Sequence, residues 1–313
     1  MARTMFQDLY PEAIGVIGGS GLSRMGIGDF VEVHPPHMLE GPFGQPSGPI
    51  TMREIGGKLF GFLPRHGEGH RIPAHKVPAR ANAWALRDLG IRTAIGCCAV
   101  GSLRKGVPPG TLVIPSGLVN DTQGNRPAYT FFDEVTVHIS RAELLCEYLG
   151  AAITKACSAN NQREGSIFRG GSCVVIPGPG FGTPDESHIR RLHNPNLIVG
   201  MTQDPEATLC AEAGIRYAVL CLVTDYDVWR KEDTSVDVSE VTNALIRWDW
   251  EGLIGKMLER FAPAWEEPSA KECLCTQRVH GAIQMDHHVI RESPDLMELY
   301  GALLGPHLQG RPI

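Results

Sequence analysis

Short apolar runs bounded by glycine and proline alternate along the chain with longer segments of helical periodicity. The runs are continuous rather than alternating, which is typical of strands buried on both faces of a sheet. They are AIGVIGG (13–19), KLFGFLPRHG (58–67), TAIGCCAVG (93–101), TLVIPSG (111–117), SCVVIPGPG (172–180), NLIVGMT (196–202) and YAVLCLVTD (217–225). Helical patterns cover residues 74–90, 141–157, 204–214 and 238–262. This alternation predicts an α/β fold with a mostly parallel sheet.

The residues that follow these runs carry most of the chemically useful side chains. The loops read GGSGLS, PRHGEGHR, CAVGSL, GPGFGT, GMTQDPE and TDYD, each rich in glycine, hydroxyl or charged groups. Ligands of open α/β sheets bind beyond the carboxyl ends of the strands. We therefore expect these loops to form one composite site.

Composition narrows the class of partner. The chain has 313 residues and a net charge of −6, with 29 basic residues spread along it. No basic stripe indicates nucleic acid or an anionic membrane, so a small molecule is the expected partner. The N-terminus has no basic region leading into an apolar one, and no run is long enough to span a bilayer, which favours a cytoplasmic protein.

The organisation along the chain suggests one large unit and a tail. FAPAWEEPSAKE follows the last long helical pattern and is rich in proline and charge. We place the main domain at residues 1–262 and a C-terminal extension of unknown role at 263–313. The early glycines GVIGGSGL lack the spacing of a dinucleotide fingerprint and the lysine of a P-loop.

The nine cysteines favour a reduced protein, because most lie inside apolar runs, as buried thiols do. Cys273 and Cys275 differ, since they form a C-x-C pair in a polar segment. A zinc site would need two more ligands at matching spacing, and none is evident. We therefore expect no metal and no cofactor.

Several loop residues suit an anion. Ser20 lies in a glycine turn whose N–H groups can hold a phosphate, and Arg65 with His66 directly follows a strand. The turn after residues 93–101 adds Cys98 and Ala99. Each motif alone is also explained by a structural turn or a surface ion pair.

Other loop residues suit a planar organic ligand. Phe181 lies among glycines, where an aromatic ring can stack on a base, and Met201 with Thr202 follows another strand. Asp225 and Asp227 end the last apolar run. Taken alone, two such carboxylates fit metal ligands, a sugar-cleaving acid and base, or a helix start. The residues Asp204, Pro205 and Glu206 are interpreted as the beginning of a helix.

The ordered set GVIGGSGL, FLPRHGEGHRI, ANAWALRDLG, AVGSL, PGTLVIPSG, TFFD, GMTQDPE and TDYDVW resembles the 5′-methylthioadenosine phosphorylases, the trimeric branch of the purine nucleoside phosphorylases. The resemblance covers roughly residues 13–260. It implies the nucleoside phosphorylase fold, with a mixed, mostly parallel sheet partly closed into a barrel and flanked by helices. It also implies phosphorolysis of a nucleoside to free base and pentose 1-phosphate, with inorganic phosphate as co-substrate.

The resemblance also implies roles for single residues. Asp225 and Asp227 would bind the N6 and N7 edge of adenine as the catalytic pair; the sequence does not say which of the two carries the proton, and we favour Asp225. Phosphate would be held by Ser20, Arg65, His66, Cys98, Ala99 and Thr202. Phe181 and Met201 would contact base and ribose, and Val238 and Val241 the 5′ group. His138 would reach the 5′ pocket of a neighbouring subunit, so a homotrimer is expected.

Three departures from the family pattern keep alternatives open. The family commonly reads G-P-R-F-S where this chain has Gly178 to Gly182, so an arginine and a serine are missing. Cys98 stands where a hydroxyl is common, and thiols form weaker hydrogen bonds. A different base or 5′ specificity, for inosine, methylthioinosine or a 5′-halo nucleoside, is one alternative. A catalytically weak nucleoside-binding homologue is the other.

Overall fold

The computed structural model describes residues 6–19, 32–37, 40–122, 129–158, 167–193, 196–230, 237–269 and 272–308. Ser20, one of the expected phosphate ligands, lies outside the described residues. Within them, no helix is both long and apolar enough to cross a bilayer.

Eleven described strands form one sheet. They are β1 (Ile14–Gly18), β2 (Glu32–His37), β3 (Ile50–Ile55), β4 (Lys58–Pro64), β5 (Thr93–Ser102), β6 (Leu112–Ile114), β7 (Gly117–Asn120), β8 (Ile167–Arg169), β9 (Ser172–Val175), β10 (Asn196–Gly200) and β11 (Arg216–Asp225). Each of the seven apolar runs contains a strand. The strands β1, β5 and β11 are buried almost throughout, as continuous apolar runs predict.

The sheet branches at β5. This strand pairs in parallel with β1 and β11, and in antiparallel with β10. Of the described pairings, six are parallel and four antiparallel, which confirms the mixed, mostly parallel sheet. The pairings branch and do not complete a ring. Because β10 meets only the last residues of β5, Val199 opposite Gly101, the loop after β10 still lies near the carboxyl end of β5.

Eight helices flank the sheet in the described residues. They are α1 (Ala79–Asp88), α2 (Glu147–Ser158), α3 (Pro184–Leu192), α4 (Gln203–Glu212), α5 (Val238–Arg247), α6 (Trp250–Ala264), α7 (His287–Glu292) and α8 (Pro294–Leu304). The pattern over 238–262 is two helices, not one. Asp249 has a left-handed backbone and accepts a hydrogen bond from the N–H of Gly252, so it ends α5 and caps α6.

The C-terminal segment packs on the main body rather than standing apart from it. Tyr300 is 1 % exposed and belongs to the same buried cluster as Phe131 and Phe132. The N–H of His138 donates to the carbonyl of Ala282, and Val137 bridges to Ile283. The segment that contains His138 is therefore held in place by residues near the end of the chain.

Candidate active site

The end of β5 organises the candidate site, because three side chains from other parts of the chain donate hydrogen bonds to its backbone. The carbonyls of Cys97, Val100 and Ser102 accept hydrogen bonds from Arg65, Thr224 and Trp229 respectively, at 2.9, 3.3 and 2.7 Å. Cys97 and Ser102 are five positions apart, which is about 17 Å along an extended strand. The phosphate and base candidates are thus distributed along one strand end.

Arg65 is buried, and its side chain donates four hydrogen bonds to other groups of the protein. Its guanidinium donates to two carboxylate oxygens of Glu206, at 2.8 and 2.9 Å, and to the carbonyls of Ile17 and Cys97. Burial alone would lower the pKa of Arg65, but the Glu206 carboxylate outweighs it and raises that pKa. Glu206 also accepts from the Tyr217 hydroxyl. Arg65 is therefore a fixed positive charge that joins β1, β5 and α4.

A cavity beside Arg65 brings four of the predicted residues together. Its lining includes Arg65, His66, Met201 and Thr202, together with Glu206. His66 Nδ1 donates to the carbonyl of Ile72 at 2.8 Å, which directs Nε2 away from that carbonyl. A positive charge, an imidazole and a hydroxyl around one cavity form a site suited to a small anion.

Cys98 and Ala99 lie next to this cavity on β5, but the Cys98 side chain faces the core. Its Sγ lies 3.5 Å from Cys221 Sγ and accepts from Gln203 Nε2 at 3.2 Å. The alternation of a strand places the neighbouring Ala99 on the other face, where it is half-buried. The Cys98 thiol is consequently engaged with core groups rather than directed toward the cavity.

Asp225 and Asp227 form a compact buried pair. Asp225 accepts from the Thr224 hydroxyl and from the N–H of Asp227, both at 2.7 Å. Asp227 has φ of 56°, a left-handed conformation in which its backbone N–H donates to Asp225. Burial raises the pKa of both carboxyl groups, and the charge of Asp227 adds to the rise at Asp225. The pair is suited to hold a proton.

The backbone of β5 passes so close to this pair that only glycine fits. A Cβ on Gly101 would lie 2.8 Å from Asp225 Oδ1 and 3.3 Å from Asp227 Cβ. Both distances are closer than normal carbon contacts. Gly101 therefore fixes how near the carboxylates lie to the strand.

Helix α3 supplies polar groups to Asp227. Ser187 Oγ, Arg190 Nη1 and Asp227 Oδ2 are all buried, and the Ser187 hydroxyl is the polar group of α3 that lies within reach of the Asp227 carboxylate. Ser187 and Arg190 both lower the pKa of Asp227 and so oppose the effect of burial. Because buried polar atoms need hydrogen-bond partners, this cluster is suited to a polar ligand or an ordered water.

The remaining predicted residues lie at the rim. Phe181 is 40 % exposed, and the loop before it packs on Met201, since a Cβ on Gly178 would lie 2.7 Å from the Met201 sulfur. Val238 is 70 % exposed at the start of α5, and Val241 is half-buried one turn later. His138 is exposed. The contacts predicted for these four residues, with the ligand or with a partner subunit, remain predictions.

The arrangement can be compared with known proteins. The family model of the phosphorylase superfamily matches residues 13–248. The chain belongs to that superfamily. An S-methyl-5′-thioadenosine phosphorylase of Hyperthermus butylicus is 38 % identical over 272 residues, which are 86 % of this chain and 95 % of the relative.

Solved structures in the phosphorylase superfamily agree. A methylthioadenosine phosphorylase from an antarctic soil metagenomic library superposes with a TM-score of 0.83 and 31 % identity, covering 96 % of this chain and all of that one. Methylthioadenosine phosphorylase from Schistosoma mansoni in complex with adenine has a TM-score of 0.76 and 30 % identity, covering 87 % and 99 %. The expected nucleoside phosphorylase fold is confirmed.

Sequence reasoning missed three groups that this superfamily member places in its site. Glu206 was interpreted as a helix start, yet it holds Arg65. Ser187 and Arg190 lie on α3, which was not predicted, although Thr183, Pro184 and Glu186 form a capping box that signals a helix. The capping box could have revealed α3, whereas nothing local in the sequence pairs Glu206 with a residue 141 positions away.

Proposed function

We propose that this phosphorylase cleaves 5′-methylthioadenosine, or a related 5′-substituted adenosine, to adenine and the pentose 1-phosphate. Such a reaction serves purine and methionine salvage. The observation that carries the proposal is the buried pair Asp225 and Asp227 at the same strand end as the cavity of Arg65, His66 and Thr202. The carboxyl pair suits the leaving base, and the residues around the cavity suit the attacking phosphate.

The carboxyl pair acts on the base. Cleavage of the N-glycosidic bond leaves negative charge on the purine, which a proton donated to N7 neutralises. We assign this proton to Asp225: Arg190 and Ser187 favour the ionised form of Asp227, and burial with the charge of Asp227 raises the pKa of Asp225 against the two hydrogen bonds that Asp225 accepts. Asp227 then accepts from the N6 amine. Burial raises the pKa of Asp225, as it does in other catalytic carboxylic acids.

Phosphate is a co-substrate, and no cofactor takes part. Arg65 supplies a fixed charge beneath the sugar, with His66, Thr202 and the N–H groups near Ala99 completing the cradle. A buried, preorganised set of donors stabilises the attacking anion more than the same groups would in water. Met201 and Phe181 contact the ribose and base, and Val238 and Val241 contact the 5′ substituent.

A nucleoside panel tests the assignment. Methylthioadenosine, adenosine and inosine are offered to the purified chain with and without phosphate, and free base is measured. We expect adenine from methylthioadenosine only with phosphate present, and the highest kcat/KM for that substrate. Preference for inosine would contradict the proposed adenine contacts.

A shared site and a cytoplasmic location belong to the same proposal. His138 is exposed on a segment held by the C-terminal residues, a position from which it can enter a neighbouring subunit's site. A closed homotrimer would satisfy every subunit in this way. Native mass spectrometry of the full chain is expected to give the mass of three chains. The nine buried free cysteines are compatible with a reducing compartment.

Gly101→Ala is expected to lower kcat/KM for methylthioadenosine by about 100-fold, because a displacement near 1 Å in an active site has an effect of that order. The added Cβ would push Asp225 away from the base. Steady-state kinetics measure the effect. Gly106→Ala is the control, since its Cβ would meet nothing within 4 Å; equal activity of the two variants would refute the role of this close contact.

A different specificity within the same reaction is the second candidate, and Arg190 favours it. The family's arginine and serine are absent at Gly180 and Gly182. A Cβ on Gly182 would lie 2.8 Å from Arg190 Nη1, so the missing serine makes room for a guanidinium from α3. Arg190 is held there by Asp121, whose carboxylate accepts from Nε at 3.1 Å. Arg190 on α3 thus supplies a positive charge near the position where the family's arginine is absent.

Arg190→Met is expected to move the acidic limb of the pH profile of kcat/KM to higher pH. Arg190 lowers the pKa of Asp227, so its removal raises that pKa, and the ionised Asp227 is then lost at a higher pH. The profile is measured with methylthioadenosine between about pH 4 and pH 8, a range that extends above the ordinary pKa of an aspartate. Arg260→Met, on the exposed face of α6, should leave the profile unchanged. An unchanged profile in Arg190→Met would contradict the coupling.

A further inference from the structure

Three cysteines that are far apart in the sequence meet beneath the C-terminal segment. Cys273 and Cys275 form the C-x-C pair, and Cys146 directly precedes α2. Their Sγ atoms all lie within 4.8 Å of one another, and Cys146 and Cys273 are 3.5 Å apart. All three side chains are buried. The sequence offered only two ligands here, and the fold supplies the third from a position 127 residues away.

The surroundings of the three sulfurs are positively charged. Arg278 Nη2 lies 3.6 Å from Cys275 Sγ. Hydrogen bonds from Cys146 and Cys275, together with one from Arg216, hold the pKa of Cys273 well below its usual range. Arg216 also pairs with Glu267. Two guanidinium groups, those of Arg216 and Arg278, therefore lie beside the three sulfurs.

The spacing of the sulfurs fits three-coordinate binding. A metal–sulfur bond is about 2.3 Å, so three sulfurs arranged trigonally around one ion are about 4 Å apart. The observed separations, from 3.5 Å to at most 4.8 Å, include this value. Tetrahedral zinc would need a fourth ligand, and the metal-ligating group found in the described part of the chain contains only these three residues. Thiolate ligands select Cu(I) among soft cations.

We propose that Cys146, Cys273 and Cys275 bind one soft monovalent cation of the Cu(I) class through their three sulfur atoms. Binding releases the S–H protons of the cysteines to solvent and leaves a net charge of −2 on the ion and its three thiolates. Arg216 and Arg278 face that charge. The ion would join the start of α2 to the C-terminal segment, both of which pack in one buried cluster with Trp265.

An entry path exists because the cluster lies just beneath the surface. Leu274, between the two cysteines of the pair, is 64 % exposed, and Glu272 is exposed as well. The site is separate from the nucleoside site, which lies at the other end of β11: Arg216 begins this strand and Asp225 ends it. Its occupancy is therefore testable independently of catalysis.

Anaerobic titration of the reduced full chain with Cu(I), in competition with a chromophoric Cu(I) chelator, tests the proposal. We expect one Cu(I) per chain, three sulfur neighbours by X-ray absorption, and a rise in Tm on loading, since a ligand that binds only the folded state stabilises it. Cys273→Ser and Cys275→Ser, made separately, should each weaken binding at least tenfold. Cys157→Ser, a buried cysteine of α2 outside the cluster, is the matched control.

Three results would overturn the proposal. The first is absence of stoichiometric binding by the reduced wild type. The second is equal binding by the wild type and by both cluster variants, if they fold. The third is a mass 2 Da lower in the protein as purified under non-reducing conditions, with Cys273 linked to Cys146 or Cys275, since a disulfide would occupy the sulfurs. Tighter binding of Zn²⁺ than of Cu(I) would contradict the three-coordinate assignment.

Discussion

Asp225→Asn is expected to lower kcat/KM for methylthioadenosine by about 10²–10⁴-fold, the usual contribution of a positioned general acid. The amide can donate a hydrogen bond but cannot deliver a proton to N7. Because Asn both donates and accepts, the ratio of inosine to methylthioadenosine activity should rise in the same variant. Steady-state kinetics with both nucleosides measure the two effects.

The control for Asp225→Asn is Asp185→Asn, which changes an exposed carboxylate on the neighbouring helix α3. It should leave both activities near those of the wild type. If Asp225→Asn keeps full activity, another group protonates the base. If it loses activity but the ratio of inosine to methylthioadenosine activity stays the same, Asp225 does not determine the base specificity.

Glu206→Gln is expected to destabilise the fold by about 3–5 kcal/mol, because it leaves the buried Arg65 without its charged partner. The same change should raise the KM for phosphate, since Arg65 loses one of the two contacts and the negative charge that hold it beside the cavity. Chemical denaturation followed by fluorescence gives the free energy of unfolding, and kinetics at varied phosphate give the KM.

The matched control removes an exposed ion pair of the same type. Arg169 pairs with Glu147 at the surface, where Glu147 is largely in solvent. Arg169→Met should cost at most about 1 kcal/mol, as exposed pairs do. A loss for Glu206→Gln no larger than that of the control would show that the buried pair does not hold β1, β5 and α4 together.

The strands that the sequence reveals are those buried on both faces. Continuous apolar runs identify β1, β4, β5, β6, β9, β10 and β11, because such runs need no partner information. The strand β3 was missed, since ITMREI mixes apolar and charged residues as an outer strand does. The break between α5 and α6 was missed because Trp248 and Trp250 continue the apolar pattern on both sides of Asp249.

The site shows the same division between local and distant information. Asp225 and Asp227 are two residues apart, so their pairing is visible in the sequence. Arg65 is expected from the sequence to bind phosphate and lines the cavity, but its partner Glu206 could not be inferred from spacing. The inward turn of Cys98 depends on Cys221 and Gln203, which only the packing of β5, β11 and α4 brings together. Contacts between distant residues are what the sequence alone does not specify.

The central claim is that phosphate, not water, attacks the sugar of a 5′-substituted adenosine. Phosphorus-31 NMR of the full chain with methylthioadenosine and inorganic phosphate tests it most directly. We expect a new resonance of a pentose 1-phosphate that grows in step with free adenine, one for one, as the inorganic phosphate signal falls. Adenine release without any organic phosphate would identify a hydrolase and contradict the account.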